Sequence, residues 1–203
     1  MTVTRTAQPA IEPVTLQEAK LHLRVDHDAE DLLIAGLISA ARTDCENRLQ
    51  RTLITTGWRL TLSDFPFLDF QRLCDPGPTL LAQAIRLRMG DVQSVSSVTY
   101  LDPDGVQRTL SPTAYQLESW AGQWLLVPAP GSSWPATLSG LQSVTVDYVA
   151  GYGAASASVP APLRSWILLA VGDLYSQRLR SGDKPAVPHH FVDGLLDAYK
   201  VWV

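Results

Sequence analysis

The chain has 203 residues, 46% of them hydrophobic and 18% charged, with a formal net charge of −4. That is enough for one large domain or two small ones, in a composition that suits a folded, soluble protein. The acidic balance, with no basic stripe anywhere, excludes a general electrostatic grip on nucleic acid, and no apolar run reaches the roughly 20 residues of a bilayer span.

Residues 1–13 (MTVTRTAQPAIEP) show no periodicity and no signal-peptide pattern, so a cytosolic protein with a mobile N-terminal arm is expected. The arm is either disordered or ordered on a neighbouring subunit. Thr15 followed by Glu18 is a capping box and opens a helix over Leu16–Leu23. An acidic corner follows (Asp26, His27, Asp28, Glu30, Asp31), in which Asp28 and Asp31 repeat the device more weakly before a helix predicted over Ala29–Gln50. These carboxylates suit the positive end of the helix dipole. Leu33, Leu37, Ala41, Cys45 and Leu49, flanked by Leu32, Ile34 and Ile38, form an apolar stripe too wide for an isolated surface helix. Gly36, inside the helix, suggests a close approach by another helix.

From Leu53 the period becomes two. LITTGWRLTLSDF reads as a half-buried strand with Trp58, Leu60 and Leu62 on one face. Phe65 to Gln83 is a long loop whose Phe65, Phe67, Leu68 and Phe70 are too apolar to be fully solvated, so it covers the β unit or touches another subunit. Further strands are predicted at 84–89, 94–101, 106–110, 115–119, 123–127 and 143–149, with a hairpin turn at Asp102-Pro-Asp-Gly105. Short, evenly spaced strands point to an antiparallel barrel or sandwich. Residues 128–134 (PAPGSSW, ending in Trp134) read as a surface loop.

A helix is predicted from Pro160 to Ser181, with Leu163, Trp166, Ile167, Ala170, Val171, Leu174 and Tyr175 as its apolar face. It is the natural cover for the first stripe, so Leu33, Leu37, Ala41, Leu163, Ile167 and Leu174 are assigned to one bundle core, crossing near Gly36 and Gly172. A last helix, His190–Lys200, leads into Tyr199-Lys200-Val201-Trp202-Val203, an apolar patch that is either frayed or docked on something. The fold class is therefore α+β: a flexible arm (1–13), a discontinuous helical bundle (14–51 and 160–203), and an inserted antiparallel β barrel or sandwich lobe (52–159).

Chemistry is hard to find. No nucleophile elbow, P-loop, dinucleotide fingerprint or zincin motif is present. His22, Asp26, His27, Asp28 and Asp31 match no metal-ligand spacing, and helix capping accounts for the carboxylates. Asp102 and Asp104 belong to a turn, Cys45 to a buried face, and His189 and His190 to a loop; Cys74 lies in a Pro/Gly loop. No catalytic residue, metal or cofactor is expected. Trp120 and Trp134 leave open a carbohydrate-binding surface.

VTLQEAKLHLRVDHDAEDLLIAGLISAA, then PGSSWPA, YVAGYG, VPAPLRSWILLAVGDLYSQR and FVDGLLDAYKV, in that order, resemble the head–tail connector (adaptor) proteins of long-tailed bacteriophages and related prophages. The likeness spans about 14–64 and 84–200. It departs from the family at Tyr175-Ser-Gln-Arg178 and at Ala198 before Tyr199-Lys200. The resemblance implies a structural, non-enzymatic ring, usually of twelve copies. The ring would lie in the virion neck between the portal protein and a stopper or other downstream neck or tail protein, assembled in the bacterial cytoplasm. Double-stranded DNA would pass through it without sequence-specific binding. Tyr199, Lys200, Val201, Trp202 and Val203 would then insert into the portal, and Asp26, His27, Asp28, Phe67, Phe70 and Trp134 would serve subunit or neck contacts. A stopper or tail-terminator ring is the nearest alternative.

Overall fold

The computed structural model describes residues 1–66, 79–176 and 190–200. The chain is mixed α+β and divides into a β unit (Met1–Gln8 and Thr56–Gly151) and a helical unit (Pro9–Thr55 and Tyr152–Val203).

In the helical unit the capping box forms as read. The Thr15 hydroxyl accepts the Glu18 N–H at 3.2 Å, and Glu18 Oε2 accepts the Thr15 N–H at 2.8 Å. Helix α1 (Leu16–Leu23) ends at Arg24 in the left-handed conformation. Arg164 ties this cap to the distant chain end, donating to the Pro13 carbonyl at 3.1 Å and to the Glu18 carboxylate. The Glu18 carboxyl is held below its ordinary range, first by the Thr15 N–H and further by the Thr15 hydroxyl and Arg164, with burial opposing them. A depressed folded pKa means stability that is present at neutral pH and lost as pH falls through it. The urea midpoint of the helical unit is therefore expected to decline below about pH 4.5, and Glu18→Gln to flatten that decline. An identical acid profile in the variant would refute the assignment.

Helix α2 (Asp31–Leu49) is 19 residues, about 28 Å long. Its second cap was misread: Glu30 is the N-cap, without a side-chain bond to the backbone. Asp28 and Asp31 instead bind Lys20 Nζ at 2.6 and 2.8 Å. The buried face of α2 is Ile34, Ile38, Ala41, Cys45 and Leu49. Leu37 is partly buried against that core, whereas Leu33, assigned to it, is 43% exposed. The reason is geometric. At about 100° per residue, an i, i+4 row drifts about 40° each step, so a line begun at Leu33 reaches the buried side only by Ala41.

Helix α4 (Ala161–Ser176) supplies Leu163, Trp166, Ile167 and Val171 to the same core, and α5 (His190–Asp197) supplies Leu196. Leu174 is 43% exposed although Tyr175 beside it packs against the core: the contact follows the i, i+4 row Leu163, Ile167, Val171 and Tyr175, and Leu174 falls to one side of it. The two-glycine crossing does not form. A Cβ on Gly36 would meet nothing within 4 Å, while one on Gly172 would lie 3.4 Å from His22 Nε2 of α1. Cys45 is buried and free, and desolvation, reinforced by Glu46 and Asp44, pushes its thiol up to about 12, which leaves it inert. Cys74 lies outside the described residues.

The segments leading out of and back into this unit are laced together. The Leu53 carbonyl accepts the Tyr152 N–H at 3.1 Å, and the Thr55 N–H donates to Gly153 at 3.0 Å. Ile54 and Gly153 form a parallel bridge.

The β unit holds two antiparallel sheets. Its strands are β1 (Thr2–Arg5), β2 (Thr56–Leu62), β3 (Ile85–Leu87), β4 (Val92–Leu101), β5 (Gln107–Thr109), β6 (Tyr115–Trp120), β7 (Gln123–Pro128) and β8 (Val144–Ala150), with a one-turn helix α3 (Thr79–Ala82) before β3. One sheet has the order β1-β2-β8-β4-β5 and the other β3-β7-β6. Trp58, Leu60, Val98, Val144, Val146 and Tyr148 of the first share a core with Ile85, Leu87 and Leu126 of the second. The expected barrel does not close among the described residues, because each sheet keeps two edges, β1 with β5 and β3 with β6.

Nor do residues 2–5 form an arm. They pair with β2, from Thr2 opposite Thr61 to Arg5 opposite Trp58. The Thr6 N–H donates to Gly57 at 2.9 Å, and the Arg5 guanidinium lies 4.7 Å from the Trp58 ring centroid. A Cβ at position 57 would run into Thr6 Oγ1, so glycine admits this edge strand. Thr2, Val3 and Thr4 are all β-branched, but four residues are too few to register as a period.

Candidate interaction surfaces

Among the described residues, no group of three or more His, Cys, Asp or Glu side chains could hold a metal ion, and no helix is long and apolar enough to cross a membrane. Of the remaining carboxylates, Asp102 is committed to its turn. Asp102 Oδ1 accepts the Asp104 and Val106 N–H groups at 3.1 and 2.8 Å, and Oδ2 accepts from Arg108 Nε at 2.9 Å. Arg108 and these N–H groups hold its carboxyl below the ordinary range, as structural ion pairing does. What the molecule offers is surface.

The acidic corner is one such surface. Asp26, His27 and Asp28 are all exposed. Lys20 lowers the Asp28 carboxyl and has its own ammonium raised by Asp28 and then Asp31, so part of the corner's charge is neutralised within the chain. Tyr175 of α4 donates its hydroxyl to Glu30, which pins the corner from the other side.

The tail begins anchored. Tyr199 packs partly against the helical core, its N–H donates to Leu196 at 2.9 Å, and its carbonyl accepts from Arg51 Nε at 2.7 Å. Lys200 pairs with Asp197 at 2.7 Å. Tyr199 and Lys200 therefore belong to the base of the tail. Val201, Trp202 and Val203 lie outside the described residues, as do Phe67 and Phe70.

Trp134 is not a surface residue. It is 6% exposed, stacked on Phe65 at 4.8 Å between centroids, and donates Nε1–H to the Gln83 carbonyl at 2.7 Å. The carbohydrate reading thereby loses one of its two aromatics. Trp120 is 55% exposed and rims a cavity of about 560 Å³ floored by Leu125 and Val127, with Gln116 and Glu118 beside it.

Two features escaped the sequence reading. The first is a buried ion pair in α2: Arg42, 2% exposed, donates to Glu46 at 2.8 Å, Glu12 at 2.7 Å and Ser39 at 3.2 Å. Glu46, 1% exposed, also accepts the Leu53 N–H at 3.0 Å. An Arg and a Glu four residues apart, flanking a buried stripe, was the available signal. The second is a set of apolar side chains left in solvent, Leu32 at 92% and Leu141 at 95% foremost. The excess width of the α2 stripe foreshadowed Leu32; Leu141 sits in a loop and gave no signal.

Residues 13–75 match the family described as phage gp6-like head-tail connector protein, which bears out the resemblance to head–tail connector proteins. No curated protein sequence matches the chain. Solved structures share its fold along its whole length. A chain of the "Virion of native gene transfer agent (GTA) particle" is 22% identical with a TM-score of 0.78. Chains of the neck of the empty GTA particle, computed with C6 symmetry, and of the native neck, computed with C12 symmetry, are 21% and 20% identical with TM-scores of 0.77 and 0.70. In each case the match covers 100% of this chain and 97% of the other.

Proposed function

We infer that this chain is a head–tail connector protein of the phage gp6-like family, and that it works as a structural ring in the neck of a phage or phage-like particle, between the portal protein and the next neck or tail protein. The observation that carries this is the coincidence of two matches: the connector family over residues 13–75, and the fold of GTA neck chains over the full length. Twelve copies agree with both C6 and C12 arrangements. The ring performs no catalysis. It continues the DNA channel, and a net charge of −4 repeated on every copy repels the phosphate backbone, so that the duplex passes without adhering. The tail ending in Val201-Trp202-Val203 is the portal-side contact. The acidic corner at Asp26, His27 and Asp28 and the β unit are left for neighbouring subunits and the downstream protein, a stopper or equivalent.

Mixing the purified chain with the portal protein of its particle and imaging the product by electron microscopy tests this. Rings coaxial with the portal are expected. Portals that remain bare at saturating chain would reject the assignment.

A further inference from the structure

Resting on the neck reading above, we propose that the outward face of α2 over residues 32–40 is the lateral contact through which each copy meets the next copy of this chain in the ring. Leu32 is 92% exposed and Leu33 43%, and Ala35, Gly36 and Ala40 are exposed beside them. No charged side chain interrupts this face until Asp44 and Arg48, which pair with each other at 2.9 Å. A surface helix normally carries charges there.

Gly36 adds a second argument. Glycine weakens a helix interior, and among the described residues an added Cβ would meet no atom within 4 Å. A position without a side chain on an open face lets a second backbone approach closely.

The occupant follows from the composition of the face and from the assembly. Apolar, charge-free contact is typical between permanently associated copies of one chain. A cyclic ring obliges every subunit to present two unlike complementary patches to its own kind. The face also lies within residues 13–75, the stretch matched to the connector family.

Gly36→Leu and Leu32→Glu test the proposal in the portal-binding experiment, alongside wild type. The space around Gly36 is open in the isolated subunit, so Gly36→Leu is expected to keep or raise the Tm of the free chain while the bound copies no longer close into a ring. Leu32→Glu is expected to lower ring occupancy about tenfold or more at equal concentration. Complete rings from both variants would overturn the proposal. So would folded variants that fail to bind even a single copy by native mass spectrometry, since the face would then be a portal contact. A wild-type chain that forms no ring rejects the neck reading itself and this contact with it; wild-type rings with intact variant rings reject only the contact.

Discussion

Arg42→Ala is expected to lower the stability of the helical unit by about 3–5 kcal/mol. The guanidinium is 2% exposed and bridges three elements: Glu46 on its own helix, Ser39 one turn back, and Glu12 on the segment that leads into α1. Removing it takes the Arg42 guanidinium from the Glu46 carboxylate, which is 1% exposed and keeps the Leu53 N–H, and leaves a void where a 2% exposed side chain bridged α2 to Glu12. The large effect comes from breaking a buried network by removing one partner; the attraction of the pair is largely offset by the cost of desolvating both ions. The double variant Arg42→Met, Glu46→Leu should therefore cost less than Arg42→Ala alone, even though it deletes more polar contacts. Urea unfolding followed by the helical circular dichroism signal measures both. A loss below about 1 kcal/mol for Arg42→Ala would mean that water reaches this site and that it behaves as a surface pair.

Deleting residues 201–203 is expected to weaken portal capture about tenfold or more, while leaving the subunit folded. The cut point matters. Tyr199 contributes to the helical core and its carbonyl holds Arg51, so a cut at 199 would confuse loss of binding with loss of structure. Truncation after Lys200 keeps the Arg51 bond and the Lys200–Asp197 pair. Unchanged Tm with lost capture supports the tail as the portal contact; full capture by the truncated chain would show that the portal is bound elsewhere.

The parts of this fold legible in the sequence are those set by local chemistry. The Thr15–Glu18 box and the Asp102 turn use groups a few residues apart, and both form as read. The pairing of α2 with α4 was legible because two wide apolar faces each needed a cover, and Leu37 and Ile167 do enter one core. What failed depended on non-local facts. Leu33 and Leu174 have the right residue type in a helical row, but whether a neighbour reaches them is decided by helix length and drift. The first strand was invisible because its partner, β2, lies more than fifty residues away. Trp134, in a Pro/Gly/Ser-rich loop, is buried only because Phe65 and Gln83 come to meet it. The site residues inherit the same division: the corner at Asp26–Asp28 was visible as a run of acids, whereas the exposed side of α2 appeared only once its buried side was known.

The lacing of residues 53–55 to 152–153 has a consequence for synthesis on the ribosome. Helix α2 emerges early, but α4, which covers Ile34, Ile38 and Cys45, is made more than a hundred residues later. Until then those side chains are covered only by what is made alongside them, Val14 and Ala19 before α2 and Leu53 and Ile54 after it, and closing so long a loop is slow. Pairing of β2 with β8, which sets Thr56 opposite Ala150, brings the two ends of the insertion side by side and shortens that closure, which favours sheets that form before the last helices dock on the first.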